Sequence, residues 1–184
     1  MAQASKNLKK AISIDDKNSD AYTALSSLFL MRKQHENAIN AGKKAVLLNP
    51  NGADAYIHLA FALYHSNRLV EALEMSRRAF HLNPLPPSQY HHVVGHIYLA
   101  MEQYEKALVS YKKAAELEPN NIFAHIGIAC TCSLLGLMKE ARTAVKYVIK
   151  INPNFSIDDI EKSPNKNKIL TKRRADALRK AGLK

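Results

Sequence analysis

The sequence predicts an all-α fold assembled from antiparallel helix pairs, and three observations carry that expectation. The first is internal repetition. Residues 53–84, ADAYIHLAFALYHSNRLVEALEMSRRAFHLNP, place Tyr56, Leu59, Ala60 and Leu63 in one half and Ala72, Ala79 and Pro84 in the other. The same order recurs 34 residues upstream as Tyr22, Leu25, Ser26, Phe29, Ala38, Ala45 and Pro50. It recurs 35 residues downstream as His91, Val94, Gly95, Tyr98, Ala107, Ala114 and Pro119, and after a further 34 as His125, Ile128, Ala129, Cys132, Ala141, Val148 and Pro153. The second observation is that each half reads as an amphipathic helix. The third is compositional: only 6 glycines and 7 prolines in 184 residues, with no stretch of strand-like alternation.

Each copy justifies its own elements. Small residues at positions 26, 60, 95 and 129 face small residues at 38, 72, 107 and 141, so the two helices of a pair approach closely while larger neighbours fill the seam. Each second helix then meets Asn49-Pro50, Asn83-Pro84, Glu118-Pro119 or Asn152-Pro153. Proline disfavours helical geometry in the residue before it, so the helix stops there. One such hairpin cannot bury both of its apolar faces. Stacking on a neighbour can, which is why repeats of this kind form arrays.

In chain order, residues 1–18 fit the second helix of a repeat whose first helix is missing, with Ala4, Leu8, Ala11 and Asp16 in register. Two explanations stand open: a segment of a longer protein to which Met1 was added, or an atypical N-terminal cap on a complete one. Repeats follow over 19–52, 53–86, 87–121 and 122–153. The spacing places helices near 20–32 and 35–48, 88–101 and 104–117, and 121–135 and 138–150, with the second repeat turning at Ser66-Asn67. Gly42 stands where Tyr111 stands two repeats later, and a mid-helix glycine costs about 1 kcal/mol against alanine, so the first repeat is expected to be weak. Residues 154–184 form a C-terminal loop and a last helix near 169–181. Ile169, Leu170, Ala177, Leu178 and Ala181 share one face of that helix, and Gly182 is the stop signal. That helix is expected to cap the open end of the array.

A period of 34 with large-apolar, small, aromatic, Ala, Ala, Pro in order resembles the tetratricopeptide repeat, and the match covers residues 19–153. The resemblance implies a right-handed superhelical solenoid and a concave groove lined by fixed positions of each first helix, which holds a peptide or partner domain. Carried over, those positions are Asp20, Thr23, Ala24, Ser27, Leu30 and Met31 in the first repeat and Asp54, Ile57, His58, Phe61, Tyr64 and His65 in the second. They continue as Gln89, His92, Val93, His96, Leu99 and Ala100, then Phe123, Ile126, Gly127, Cys130, Ser133 and Leu134. Members that clamp the carboxylate tail of a chaperone place charged donors in the groove, because a buried carboxylate needs them. Here Thr23, Ser27, His58 and Val93 occupy those places, so an apolar helix or extended segment suits the lining better.

Within that lining, His58, His65, His92 and His96 are the cluster closest to a chemical site. His92 and His96 lie one helical turn apart, a spacing that can ligate zinc. The competing reading is amphipathic groove lining, and no metal or other cofactor is assigned. Cys130 and Cys132, the only cysteines, point about 200° apart on a helix and cannot pair with each other. The sequence contains no glycine-rich phosphate loop and no nucleophile motif, so no enzyme activity is expected.

The formal net charge is +11, and residues 151–184 supply nine basic and four acidic side chains, a surplus of five. A basic helix can meet phosphates, an anionic surface or an acidic partner, or can simply be a solvated face. With Phe155 as its one aromatic, the tail offers little for nucleic acid. No apolar run is long enough to span a bilayer and the N-terminus lacks a signal-peptide core, so a cytoplasmic location is expected. Residues 152–157 and 178–183 resemble the end of the repeat region that follows class III adenylate or guanylate cyclase domains in bacterial proteins. The loop Ser163-Pro-Asn-Lys-Asn-Lys168 departs from that pattern. The resemblance implies a scaffolding or regulatory module of a larger bacterial signalling protein. Its partners would be a protein or peptide, an upstream domain of the same polypeptide, or a second copy docking on exposed terminal repeat faces.

Overall fold

The amphipathic halves read from the sequence are helices in the computed structural model, which describes residues 15–184; of the helix expected over residues 1–18, residues 1–14 lie outside the described ones, and residues 15–18 form a turn. Every regular element among the described residues is an α-helix. The chain divides into two units. The first holds the described residues up to Leu85 together with Pro164–Lys166, and the second holds Pro86–Ser163 and Asn167–Lys184.

In the first unit, α1 (Ser19–Met31) pairs with α2 (His35–Leu48), and α3 (Ala53–His65) with α4 (Leu69–Leu82). In the second, α5 (Ser88–Ala100) pairs with α6 (Tyr104–Leu117), and α7 (Ile122–Leu134) with α8 (Met138–Ile151). A short α9 (Ile157–Glu161) and a final α10 (Lys168–Lys180) follow. Within each unit the first helix of the later pair packs on both helices of the earlier one: α3 on α1 and α2, α7 on α5 and α6.

The same turn closes each pair. Lys33, Asn67, Glu102 and Gly136 adopt φ of 58°, 63°, 60° and 77°, the left-handed region. The next amide then reaches back to the first helix: Gln34 to Phe29, Arg68 to Leu63, Gln103 to Tyr98 and Leu137 to Cys132, at 2.8–2.9 Å. This closure satisfies carbonyls that a helix end would leave orphaned and reverses the chain within three residues. Ahead of each proline the Asn49, Asn83, Glu118 or Asn152 amide bonds to the carbonyl four residues back, and the chain leaves the helix. Those carbonyls belong to Ala45, Ala79, Ala114 and Val148, all fully buried. Ser19 and Ser88 hydroxyls donate to the Ala45 and Ala114 carbonyls, pinning the start of each unit's first helix to the end of its partner.

Gly42 has a packing reason that the sequence did not expose. A Cβ there would sit 3.0 Å from Leu59 Cδ1 and 3.3 Å from the Leu59 Cα, so the missing side chain is what lets α3 lie close against α2. The propensity cost is real, but it is spent on close approach.

Ser156 and Asp159 form a reciprocal capping box at the start of α9, and the Asn167 side chain accepts from Leu170 N–H at the start of α10. Gly182, at φ 100°, ends α10 by letting Leu183 N–H return to the Leu178 carbonyl. Leu170, Ala177, Leu178 and Ala181 are buried as the spacing predicts. Ile169 is not: it is 75% exposed, and the buried stripe runs instead through Thr171, Arg174 and Ala175.

Candidate functional site

Two faces carry the residues assigned to the groove, one in each unit. In the first unit, α3 supplies Asp54, Ile57, His58, Phe61, Tyr64 and His65. Asp54 is exposed and His58 and Phe61 are half-buried, whereas Ile57, Tyr64 and His65 are buried. Phe61 and His65 meet edge to face at 4.5 Å between ring centres. Ser27, from α1, lies 3.5 Å from His58 Nδ1. Burial holds the His58 imidazole below its ordinary pKa, against a raising contribution from Asp54. The chain's own tail reaches this face as well. The Lys166 amide donates to the His65 carbonyl at 2.8 Å, and Asn165 is 1% exposed.

In the second unit, α5 and α7 supply the corresponding face. His92 stacks on Phe123 at 5.5 Å, and Phe123 is 56% exposed, so an aromatic platform stands open to solvent. His92 Nε2 and His96 Nε2 are 2.8 Å apart, and His96 Nδ1 is hydrogen-bonded to the Tyr111 hydroxyl. Either direction of donation satisfies the relay with both imidazoles neutral: Tyr111 to His96 Nδ1 and His96 Nε2–H to His92 Nε2, or His92 Nε2–H to His96 Nε2 and His96 Nδ1–H to the Tyr111 oxygen. Burial, helped by the charge of Arg174, pushes His92 down to about 4, so it is neutral at physiological pH. Val93, His96, Leu99 and Ile126 are buried, while Gln89 is exposed.

The last helix lies on this face. The final α10 packs against α7 and α9. Ser133 and Leu134 of α7, both assigned to the groove, border a cavity of about 370 Å³ whose other wall is Ile169, Lys172, Arg173, Asp176, Ala177 and Lys180. Arg174 is 7% exposed, and its guanidinium hydrogen-bonds the Cys130 thiol. Burial pushes that thiol up to about 11, against the lowering by Arg174, so Cys130 is protonated at neutral pH and is not a nucleophile. Both cysteines are free and buried. The last helix thus covers α7, the first helix of the last pair; a stripe of buried residues shows which face of a helix is covered, but not by what. A shallow hollow remains on the α7–α8 pair, bordered by His125, Ile128, Lys139, Glu140, Thr143, Ala144 and Tyr147, with His125 stacked on Tyr147 at 5.0 Å.

The basic tail is only partly a solvated face. Arg173 pairs with Glu102 and reaches the Tyr104 hydroxyl, Arg179 pairs with Glu161 and Asp176, and Arg174 is buried. No three His, Cys, Asp or Glu side chains converge on a possible metal position among the described residues. No described helix is long and apolar enough to cross a membrane. The residues that sequence reasoning missed here are Arg174, Asn165 and Tyr111. Tyr111 was legible as a packing residue but not as the partner of a groove histidine.

Family models described as tetratricopeptide repeat match residues 29–97 and 89–121. No protein of curated function matches the chain. Among solved structures, MamA is 25% identical, with 79% of this chain and 85% of that one covered at a TM-score of 0.62. YrrB, described as a TPR protein with an unusual peptide-binding site, is 21% identical over 95% of this chain and 90% of its own, with a TM-score of 0.60. PilW, a widely conserved type IV pilus biogenesis factor, is 19% identical over 98% and 82%, with a TM-score of 0.75.

Proposed function

We propose, on the premise that this chain is a tetratricopeptide-repeat protein, that it is a non-catalytic protein-interaction module whose faces on α3 and on α5–α7 each hold an apolar helix or extended segment. The observation that carries this reading is Phe123. A large aromatic side chain left 56% exposed while stacked on His92 is out of place on an inert surface and suits the centre of a recognition face. His58 and Phe61 give α3 the same half-buried, amphipathic character. His92 and Cys130 are neutral at physiological pH. The face therefore favours apolar and hydrogen-bonding partners over a carboxylate terminus. In the finer reading, the module belongs to a larger bacterial signalling protein, supported by the resemblance of residues 152–157 and 178–183 to repeat regions that follow cyclase domains.

Selection of helical peptides from a displayed library on the intact chain tests this. Recovered peptides should lose about tenfold in affinity on Phe123→Glu, the scale of one hot-spot side chain, and keep it on Val109→Glu, a control on exposed α6 surface. Peptides equally sensitive to both substitutions, or to neither, would sink the assignment of the face.

A further inference from the structure

The geometry points to α10 as a resident ligand of the face on α7: the chain's own last helix occupies the place of a partner helix and defines the pattern that a partner must present. This deepens the proposed function and rests on it.

Three observations separate α10 from an ordinary structural helix. The first is its mode of packing. A first helix that continues an array rests on both helices of the pair before it, as α3 rests on α1 and α2, and α7 on α5 and α6. By contrast, α10 packs on α7 and on the short α9. The second is the surface it covers. It lies over Cys130 through Arg174 and faces Ser133 and Leu134, three positions at which the repeat pattern places partner contacts. The third is the looseness of its outer edge. A cavity of about 370 Å³ remains beside Ser133 and Leu134, and the Arg173–Glu102 and Arg179–Glu161 pairs that flank it are solvent-exposed and contribute little.

The buried stripe of α10 is a recognition pattern. Leu170, Arg174, Ala177 and Leu178 fall at i, i+4, i+7 and i+8, the spacing of a helix laid in a groove. Ala177 keeps the helix close. Arg174 crosses the apolar rim on its methylene stem and delivers its guanidinium to Cys130. A partner for this face is accordingly a helix with leucine, then arginine one turn on, then an alanine–leucine step one turn further. Tethering raises the local concentration of α10 to about the millimolar range, so a weak cis contact excludes all but strong or locally concentrated partners.

The test opens the tether without touching the helix. A specific protease site is inserted between Lys162 and Pro164 of the full chain, the chain is cut, and the cut protein is mixed with a fluorescent peptide of residues 164–184. The expected result has three parts. Circular dichroism and the hydrogen-exchange protection of α5–α8 persist after cutting. The labelled peptide replaces the resident fragment, and the uncut chain takes it up at least about tenfold more weakly. A peptide carrying Arg174→Glu binds about tenfold more weakly than the parent. The inference is overturned if the fragment never exchanges, if its departure unfolds α5–α8, or if the Arg174→Glu peptide binds as well as the parent. The two readings fail separately. A fragment that never exchanges, while library-selected helices still bind at Phe123, overturns this inference alone. Exchange of the fragment with no selectable helix at Phe123 removes the broader function and leaves α10 an exchangeable element that defines no partner.

Discussion

At one position of the repeat the first unit carries Gly42 and Ser76 where the second carries Tyr111, and each is met by different positions of the facing helices. Leu59 lies against Gly42, whereas Gly95 and Gly127 lie against the Tyr111 ring. A Cβ on Gly95 would come within 2.7 Å of that ring, and one on Gly127 within 2.4 Å. A glycine on either side of the seam admits the large side chain opposite it, Leu59 in the first unit and Tyr111 in the second. A pattern that looks for an aromatic at this position reads Gly42 as a defect, yet it is the complement of Leu59. The difference has a second consequence. The Tyr111 hydroxyl holds His96, whereas the buried Ser26 and Ser76 hydroxyls of the first unit bond to backbone carbonyls, so in the second unit the packing of the core and the state of the candidate face are one network.

The largest break in the comparison is Tyr111→Ala. It removes a fully buried ring between two glycines that cannot fill the space, and should cost about 3–5 kcal/mol in urea unfolding. The loss should appear as faster hydrogen exchange in α5–α8. Next is Gly127→Ala, where overpacking against a ring tied to His96 should cost about 1–3 kcal/mol despite the better helix former. Combining it with Tyr111→Leu should cost less than the sum of the two, because the smaller side chain relieves the clash.

An acid titration sharpens the comparison further. The folded chain holds His92 near 4, whereas the unfolded chain binds the proton at the ordinary 6.5. Between those values the unfolded state takes up more protons. Stability that is fully present above about 6.5 should therefore fall as pH drops towards about 4, then level off for this group. His92→Gln should flatten that slope, and an unchanged slope would show that His92 is protonated in the fold. The smallest effect is Gly42→Ala. The propensity gain of about 1 kcal/mol is set against displacement of Leu59, so the net change should stay within about 1 kcal/mol of zero.

Much of the fold was legible because its determinants are local and repeated. Ala45, Ala79, Ala114 and Val148, each followed by a proline five residues on, fix where each second helix stops, and the structure agrees to within a residue. The left-handed turn was not visible. Lys33, Asn67 and Glu102 have no residue type in common, and only Gly136 advertises a positive φ. The faces were less legible than the helices. Ile57, Tyr64, Val93, Leu99 and Ile126 were placed by register alone, and register cannot tell a groove lining from a core side chain one position away; all five are buried. The destination of α10 was hidden for a different reason. Its charges read as a solvated face, and nothing in residues 168–180 announces that Arg174 is buried while Ile169 is not.

Cys130 beneath Arg174 makes the molecule its own stopwatch. A protonated thiol shielded by a helix reacts with an alkylating reagent only in the fraction of time that the helix is away, so its labelling rate is the opening equilibrium multiplied by the rate of a free thiol. Cys132 is also buried, which raises its thiol as well, and it supplies an internal clock for events that do not involve α10. Mass spectrometry of the two sulfurs in one unmodified chain would thus time the movement of the last helix against the breathing of the pair it rests on.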